Sequence, residues 1–282
     1  MARPDIEPIT DALLPAFAQF LSLHMGVARS AQDWEQGLRR QWTLDLPNYG
    51  FALRDEGRIV GGIGAYYADR PIRGRIERFC NITSWCVLDA YRAQSMRMGM
   101  ALLQQPGFHF TNFSPTPVVS STLRFMKFKP LDESLAVAPN LPALATGLEI
   151  RCGRAAIEAA LDGEQLAIYR DHADLPWLEH VLVGKAGRWC HIVYKRQRFR
   201  GLPAARIIYA SDGERLSRAW TRLGAHLLAR AIATTQVERR LLAALPRLAV
   251  VRSGFTAKLY LSPSLRDEDI DYLYSESVAL DL

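Results

Sequence analysis

Cysteine is scarce in this chain of 282 residues, with four at Cys80, Cys86, Cys152 and Cys190. None forms a C-x-x-C pair and none stands at zinc-ligand spacing with a histidine, which argues against a disulfide framework and against a metal centre. They read as core thiols of a reducing compartment. Cys80 and Cys86 are six apart, so on one strand they share a face. Long apolar runs are also absent. Charges interrupt every hydrophobic stretch well short of the ~20 residues that a membrane-spanning helix needs. Residues 1–10 lack the basic-then-apolar order of a secretory signal, so the expectation is a cytoplasmic protein with no membrane span. A basic block interleaved with aromatics is missing as well. The positive residues are mostly arginine and are scattered, at Arg39 and Arg40, 73–78, 195–200, and Arg239 and Arg240. The net charge of +6 and the pI of about 9.3 therefore do not call for a nucleic-acid partner. They leave a few arginines for an anionic ligand such as a nucleotide phosphate.

What remains has the composition of a globular protein. Hydrophobic residues make up 49% of the chain, enough for a sizeable core, and the length suits one large domain or two small ones. Residues 5–9 predict an edge strand. A helix follows with Leu13, Leu14, Phe17, Phe20, Leu21 and His24 on one face, then a second over 31–42 with Trp34, Leu38 and Trp42 recurring every four residues. Strands are predicted at 49–54 and 58–67 around Asp55-Glu56-Gly57, and at 76–88. A helix over 94–105, a strand at 108–113, a helix at 118–125 and a final strand at 135–138 complete a first domain, 1–140. A boundary is predicted at 141–146. The coarse order then repeats over 147–282: an extended piece at 149–152, helices at 155–161 and 165–170, and a strand reached through 176–183. Strands at 189–197 and 205–210 follow, with a long amphipathic helix over 216–233 and strand-like pieces at 241–251 and 255–261. The pattern predicts an α/β chain with mixed sheets, made by duplication of one fold.

Chemistry concentrates in residues 85–103, where a long strand opens into a helix. The first turn of a helix leaves backbone amides unpaired under a positive dipole, a natural seat for a phosphate. Arg92 and Arg97 stand ready to add charge-assisted hydrogen bonds. Val87, Tyr91, Arg92 and the Leu102-Leu103 pair resemble, without a gap, the coenzyme-A motif of the GNAT (GCN5-related N-acetyltransferase) superfamily. The order of elements over residues 5–138, with Phe128 near its end, is similar to that family as well. The resemblance implies that Val87 and Leu88 pair with the pantetheine arm. It also implies that Arg92, Gln94, Ser95, Met96, Arg97 and Gly99 surround the pyrophosphate of acetyl-CoA or another acyl-CoA. Two departures stand out. The family's turn glycines fall on Ser95 and Arg97, and Arg97 either clamps a phosphate or fills its place. Read as a plain amphipathic helix, the same segment would bury Met96, Met100 and Leu103.

Acyl transfer to an amine needs a base for the amine and a proton for the thiolate. The resemblance points to Glu77, on the long strand, as base, with pairing to Arg75 or Arg78 as its competing role. His109 is a second candidate, against a structural hydrogen-bonding role. The family's tyrosine acid falls on Leu123, and no tyrosine occurs between Arg92 and Glu149. In the second half, Asp171, His172, Asp174, His180 and His191 have no metal-ligand spacing. Ser211, Asp212 and Glu214 put negative charge at the corresponding turn, so no coenzyme A is expected there. The acidic run 267–272 reads as a solvated tail or an interface segment docked by Tyr272, Leu273 and Tyr274. The resulting expectation is an acyl-CoA-dependent N-acyltransferase acting on a small-molecule amine, without a metal. A catalytically inactive binding or regulatory protein of the same fold is the alternative. A homodimer is compatible with the sequence.

Overall fold

The computed structural model describes residues 4–143 and 147–281. The chain begins with strand β1 (Asp5–Pro8) and helices α1 (Leu14–His24) and α2 (Ala31–Leu38). Ser30 starts α2 by accepting the Asp33 amide at 3.1 Å. This helix stops at Leu38, short of the predicted Trp42, which instead bridges to Ala68 in β3. Strands β2 (Gly50–Asp55) and β3 (Arg58–Ile72) meet at Glu56-Gly57, both with positive φ, the backbone that a two-residue hairpin requires. Strand β4 (Arg75–Val87) leads through a 3-10 turn, Asp89–Gln94, into α3 (Ser95–Leu103). Then come β5 (Phe108–Asn112), α4 (Pro117–Phe125, capped by Thr116) and β6 (Lys129–Pro130).

The chain continues with β7 (Leu135–Pro139), β8 (Glu149–Arg151), α5 (Arg154–Glu158) and α6 (Gly163–His172). Strands β9 (Leu178–Lys185), β10 (Arg188–Phe199) and β11 (Leu202–Ala210) precede α7 (Gly213–Ala229). Asp212 caps α7 by accepting the Arg215 amide at 2.9 Å. Last are β12 (Thr234–Glu238), β13 (Val250–Arg252), β14 (Leu259–Leu261) and α8 (Glu276–Ala279).

Two compact units result. One comprises Met1–Leu131, Thr256–Asp269 and Tyr274–Leu282; the other comprises Asp132–Phe255 and Ile270–Leu273. The first holds a seven-stranded sheet in the order β1-β2-β3-β4-β5-β14-β6, the second one in the order β8-β9-β10-β11-β12-β7-β13. Each sheet is antiparallel except for one pair, β4–β5 in the first and β11–β12 in the second, and these occupy the same place in the order. The same topology thus appears twice, in mixed α/β form. In each sheet the strand beside the parallel pair comes from the far side of the chain. β14 pairs with β5 and β6, while β7 pairs with β12 and β13.

The sequence pattern places 135–138 as the last strand of the first half. The structure pairs it in the second sheet, because Leu135-Ala136-Val137-Ala138 has the apolar pattern of any buried strand and carries no mark of its partner. Of the predicted boundary 141–146, residues 144–146 lie outside the described residues. The piece predicted at 241–251 forms a strand only at its end. β12 went unread because Thr235, Gln236 and Glu238 are buried polar residues on a central strand.

The first unit has two cores, one on each face of its sheet. Phe17, Leu21, Trp34, Leu38 and Tyr66 pack with α1 and α2, joined by Ala279 and Leu280. Ile63, Ile82, Met98, Leu102, Phe110 and Leu123 pack on the α3 and α4 face. The second unit has its main core around Ile192, Ile207, Trp220 and Leu223.

Candidate active site

Strands β4 and β5 pair in parallel only from Arg78↔Phe108 to Asn81↔Thr111. Beyond that point β5 ends at Asn112 while β4 runs on to Val87, so the two strands part and leave a notch. The Asn112 side-chain amide bridges its first step by donating from Nδ2 to the Ile82 carbonyl at 2.8 Å. At the same level β4 carries a bulge. Its register with β3 shifts between Gly64↔Thr83 and Gly62↔Cys86, and Ser84 adopts φ +48. A buried serine in the left-handed region marks local strain held by the surrounding sheet. The extra residue resets side-chain parity. Cys80 therefore packs on the α3 face and Cys86 on the α1 face, contrary to the shared face that simple alternation predicts.

The bulge also decides what faces the notch. Leu88 already donates its amide to Val60 at 3.0 Å. By alternation Val87 turns its amide and carbonyl to the open edge of β4. On the α3 side, Trp85 fits against Gly99, where an added Cβ would meet the indole at 2.7 Å and Met126 at 2.9 Å. The Trp85 indole N–H is buried and has no partner among the described residues.

The turn that follows differs from the expected phosphate cradle. Residues Asp89–Gln94 form a 3-10 helix continuous with α3, and the Ser95 amide donates to the Arg92 carbonyl. Met98, Gly99 and Leu102 are buried while Met96 and Met100 are exposed, so α3 turns a different face to the core from the one a plain amphipathic reading expects. Arg92 pairs with Asp89 at 2.7 Å in solvent. Arg97 donates to Gln94 at 2.6 Å and to the Pro4 carbonyl at 3.4 Å. Both are neutral acceptors, so its positive charge keeps no carboxylate partner among the described residues.

The α1–α2 side of the notch is polar and filled by α8. Asn81 donates to Thr111 Oγ1 at 3.0 Å, and its own oxygen accepts the Glu276 amide at 2.8 Å. Glu276 Oε1 accepts the Phe113 amide at 2.7 Å and the Ser114 hydroxyl at 2.9 Å. Burial pushes its carboxyl above the ordinary range, against these donors. Arg29 and Arg40 hold the end of α8 through the Leu280 and Ala279 carbonyls. In sequence, the acidic run 267–272 reads as a solvated tail or an interface segment docked by Tyr272, Leu273 and Tyr274, and residues 275–281 carry no placement.

Glu77 and His109 lie at the other end of the same strands, about 20 Å along β4 from the bulge at ~3.3 Å per residue. His109 Nε2 meets Glu77 at 3.0 Å and Nδ1 meets Ser262 Oγ at 2.9 Å. Ser262 also accepts the amides of Ser264 and Leu265 at 3.1 and 2.8 Å. Its hydroxyl proton therefore goes to Nδ1, and the network assigns the imidazole N–H to Nε2, facing Glu77. Glu77 thus pairs with His109, and Arg78 pairs with Asp45 and Asp69. Leu123, at the position of the family's tyrosine, is fully buried core.

No protein-family model matches this chain, and no curated protein matches its sequence. Solved structures do. A GCN5-related N-acetyltransferase from Anabaena variabilis superposes with a TM-score of 0.63 over 92% of this chain and 72% of that chain, at 14% identity. The chain has the GNAT fold. A probable N-acyltransferase from Enterococcus faecalis gives 0.61 over 92% and 72%, at 10% identity. Eis1 from Mycobacterium abscessus gives 0.52 over 91% and 72%, at 14% identity.

The second unit of this GNAT-fold chain holds a histidine cluster. His180 Nδ1 and His191 Nε2 are 3.1 Å apart, and burial lowers their titration to about 4 and about 3. His191 also meets Gln165 at 3.3 Å. Among the described residues no group of three or more His, Cys, Asp or Glu side chains is placed to hold a metal ion. None of the described helices is long and apolar enough to cross a membrane. At the start of α7, Asp212 pairs with Arg215 and Glu214 with Arg218, so carboxylates occupy that helix terminus.

Proposed function

We propose that the first unit is an acyl-CoA-dependent N-acyltransferase. It passes acetyl or another acyl group to a small-molecule amine by direct attack on the thioester. The notch carries this reading. It combines a β4 edge with the Val87 backbone groups unpaired by β3, a buried Trp85 indole whose ring packs against Gly99 of α3, and a strained bulge at Ser84. An extended amide-bearing arm fits such an edge by strand-like hydrogen bonding. Val87 pairs with that arm, while Arg92, Gln94, Ser95, Met96, Arg97 and Gly99 lie on the turn and helix beside its phosphates. Rate then comes from positioning and from backbone donors at the developing oxyanion. The free thiol state of all four cysteines suits a cytoplasmic setting. The relatives' names add that proteins of this fold include acetyltransferases.

Saturating acetyl-CoA should raise the unfolding temperature, and Arg97→Glu should reduce that rise. An unchanged midpoint with acyl-CoA of several chain lengths would remove this reading. A second reading, a non-catalytic binding protein, is favoured by the buried leucine where the family carries its acid. It predicts the same thermal shift with no release of coenzyme A thiol in the presence of amines.

A further inference from the structure

The second unit carries a cavity of about 390 Å³ between α7 and the β9–β10 hairpin, a size that suits a small molecule. Its floor is apolar, made by Val183 and Ala219 of the main core and by Leu148 packed against them. Its rim is charged. Lys185 and Arg188 flank the Ala186-Gly187 turn and stand directly opposite each other in register. Like charges in that position repel, so strand pairing does not account for these two residues. By alternation Lys185 shares a face with Val183 and Arg188 with Cys190, both of which pack beneath α7. The two cations therefore leave the sheet on the cavity side. The acids at the rim are already engaged. Asp212 is held by Arg215 at 3.1 Å and Glu214 by Arg218 at 3.0 Å. Arg215 is fixed further by donating to the Trp189 carbonyl at 3.2 Å. Among the described residues no carboxylate lies within ion-pair distance of Lys185 or Arg188. The lining thus keeps two positive charges in excess beside an apolar floor.

We propose that this cavity binds a small organic dianion with an apolar body, either a phosphate monoester or a dicarboxylate. Lys185 and Arg188 take the two negative charges, Arg188 through its planar fork. Leu148, Val183 and Ala219 receive the apolar part. The ligand replaces repulsion across the hairpin with two charge-assisted contacts. A neutral molecule gains nothing from this rim, and a monoanion leaves one cation unmatched. The described lining includes no residue of β11 or β12. The cavity therefore sits on the hairpin side of α7, away from the parallel pair that corresponds to β4–β5 in the first unit. It is independent of the acyltransferase reading.

Calorimetric titration of the full chain at pH 8, where a phosphate monoester is a dianion, tests the site. Four probes separate charge from body: phenyl phosphate, phthalate, benzoate and inorganic phosphate. Phenyl phosphate or phthalate should bind at least about 10-fold more tightly than benzoate, which has the ring with one charge, and than inorganic phosphate, which lacks the ring. Binding of either supports the site, and the tighter of the two names its acid group. Lys185→Gln and Arg188→Gln should each weaken binding by roughly 10-fold, and the double variant should abolish it. Both side chains are exposed, so the unliganded variants should unfold at the wild-type midpoint. Arg97→Glu, in the first unit, should leave the affinity unchanged. No binding of either dianion at millimolar concentration overturns the proposal. So does equal affinity for inorganic phosphate or benzoate, which would mark a loose ion pair without a built cavity. Wild-type affinity in the double variant also overturns it, and loss of that affinity in Arg97→Glu would move the ligand to the first unit. None of these outcomes bears on the thermal shift with acetyl-CoA, which tests the first unit separately.

Discussion

At the scale of single residues, two positions near the notch show how close packing and buried charge are set by neighbours distant in sequence. Gly99 has room for no more than a hydrogen, because Trp85 and Met126 close on it. Gly99→Ala should destabilise the chain by about 1–3 kcal/mol through overpacking, measured by denaturant unfolding. Helix propensity alone would predict the opposite sign. Glu276 has its carboxyl raised by burial. The native state therefore holds this proton more tightly than the unfolded chain does. The resulting stability is fully present below the ordinary carboxyl value of 4.5 and is lost as pH rises through the higher folded value. Stability of Glu276→Gln relative to wild type should climb as the pH is raised from 4 to 8; a flat difference would contradict this burial. Sequence reading named Glu77 and His109 as catalytic candidates because both residue types suit the task. It had no means of seeing that they face each other and Ser262 at the other end of β4.

At the scale of elements, α8 contributes far more than its four residues suggest. It brings Ala279 and Leu280 into the core of α1 and α2, and Leu280 sits so close to Gly37 that an added Cβ there would meet it at 2.5 Å. Leu280→Ala should cost about 2–5 kcal/mol, in the range of buried leucine truncations. An exposed tail would show almost no change in the same unfolding measurement. The elements legible in the sequence were those with strong local signals. α1 has its apolar face, α2 its serine cap and β2–β3 its Glu56-Gly57 turn. α7 has its Asp212 cap and its stripe of Leu216, Trp220, Leu223 and Leu227. β12 and α8 were not legible, since their polar residues are buried by tertiary partners rather than by a periodic face.

At the scale of the whole molecule, the chain crosses between units after β6 and returns before β14. A fragment ending at the sequence-derived boundary, residues 1–140, would lack β14 and α8. It would leave β5 with an unpaired edge beside an open core. Expressed alone, this fragment should show no cooperative thermal unfolding, whereas the full chain should. A cooperative transition in the fragment would mean that β14 is dispensable to the first sheet.

The sequence by itself determined the fold class, most elements of the first half and the frame of Val87, Tyr91, Arg92 and Leu102-Leu103. Those depend on local periodicity, caps and turns, which are properties of neighbouring residues. Tertiary structure alone decided which sheet receives β7 and which receives β14. Strand pairing is chosen among similar apolar segments by long-range contacts that no local pattern encodes. It also decided that the bulge at Ser84 turns Trp85 toward α3, that Arg97 folds back onto Gln94, and that a glutamate near the end of the chain fills the gap between β4 and β5.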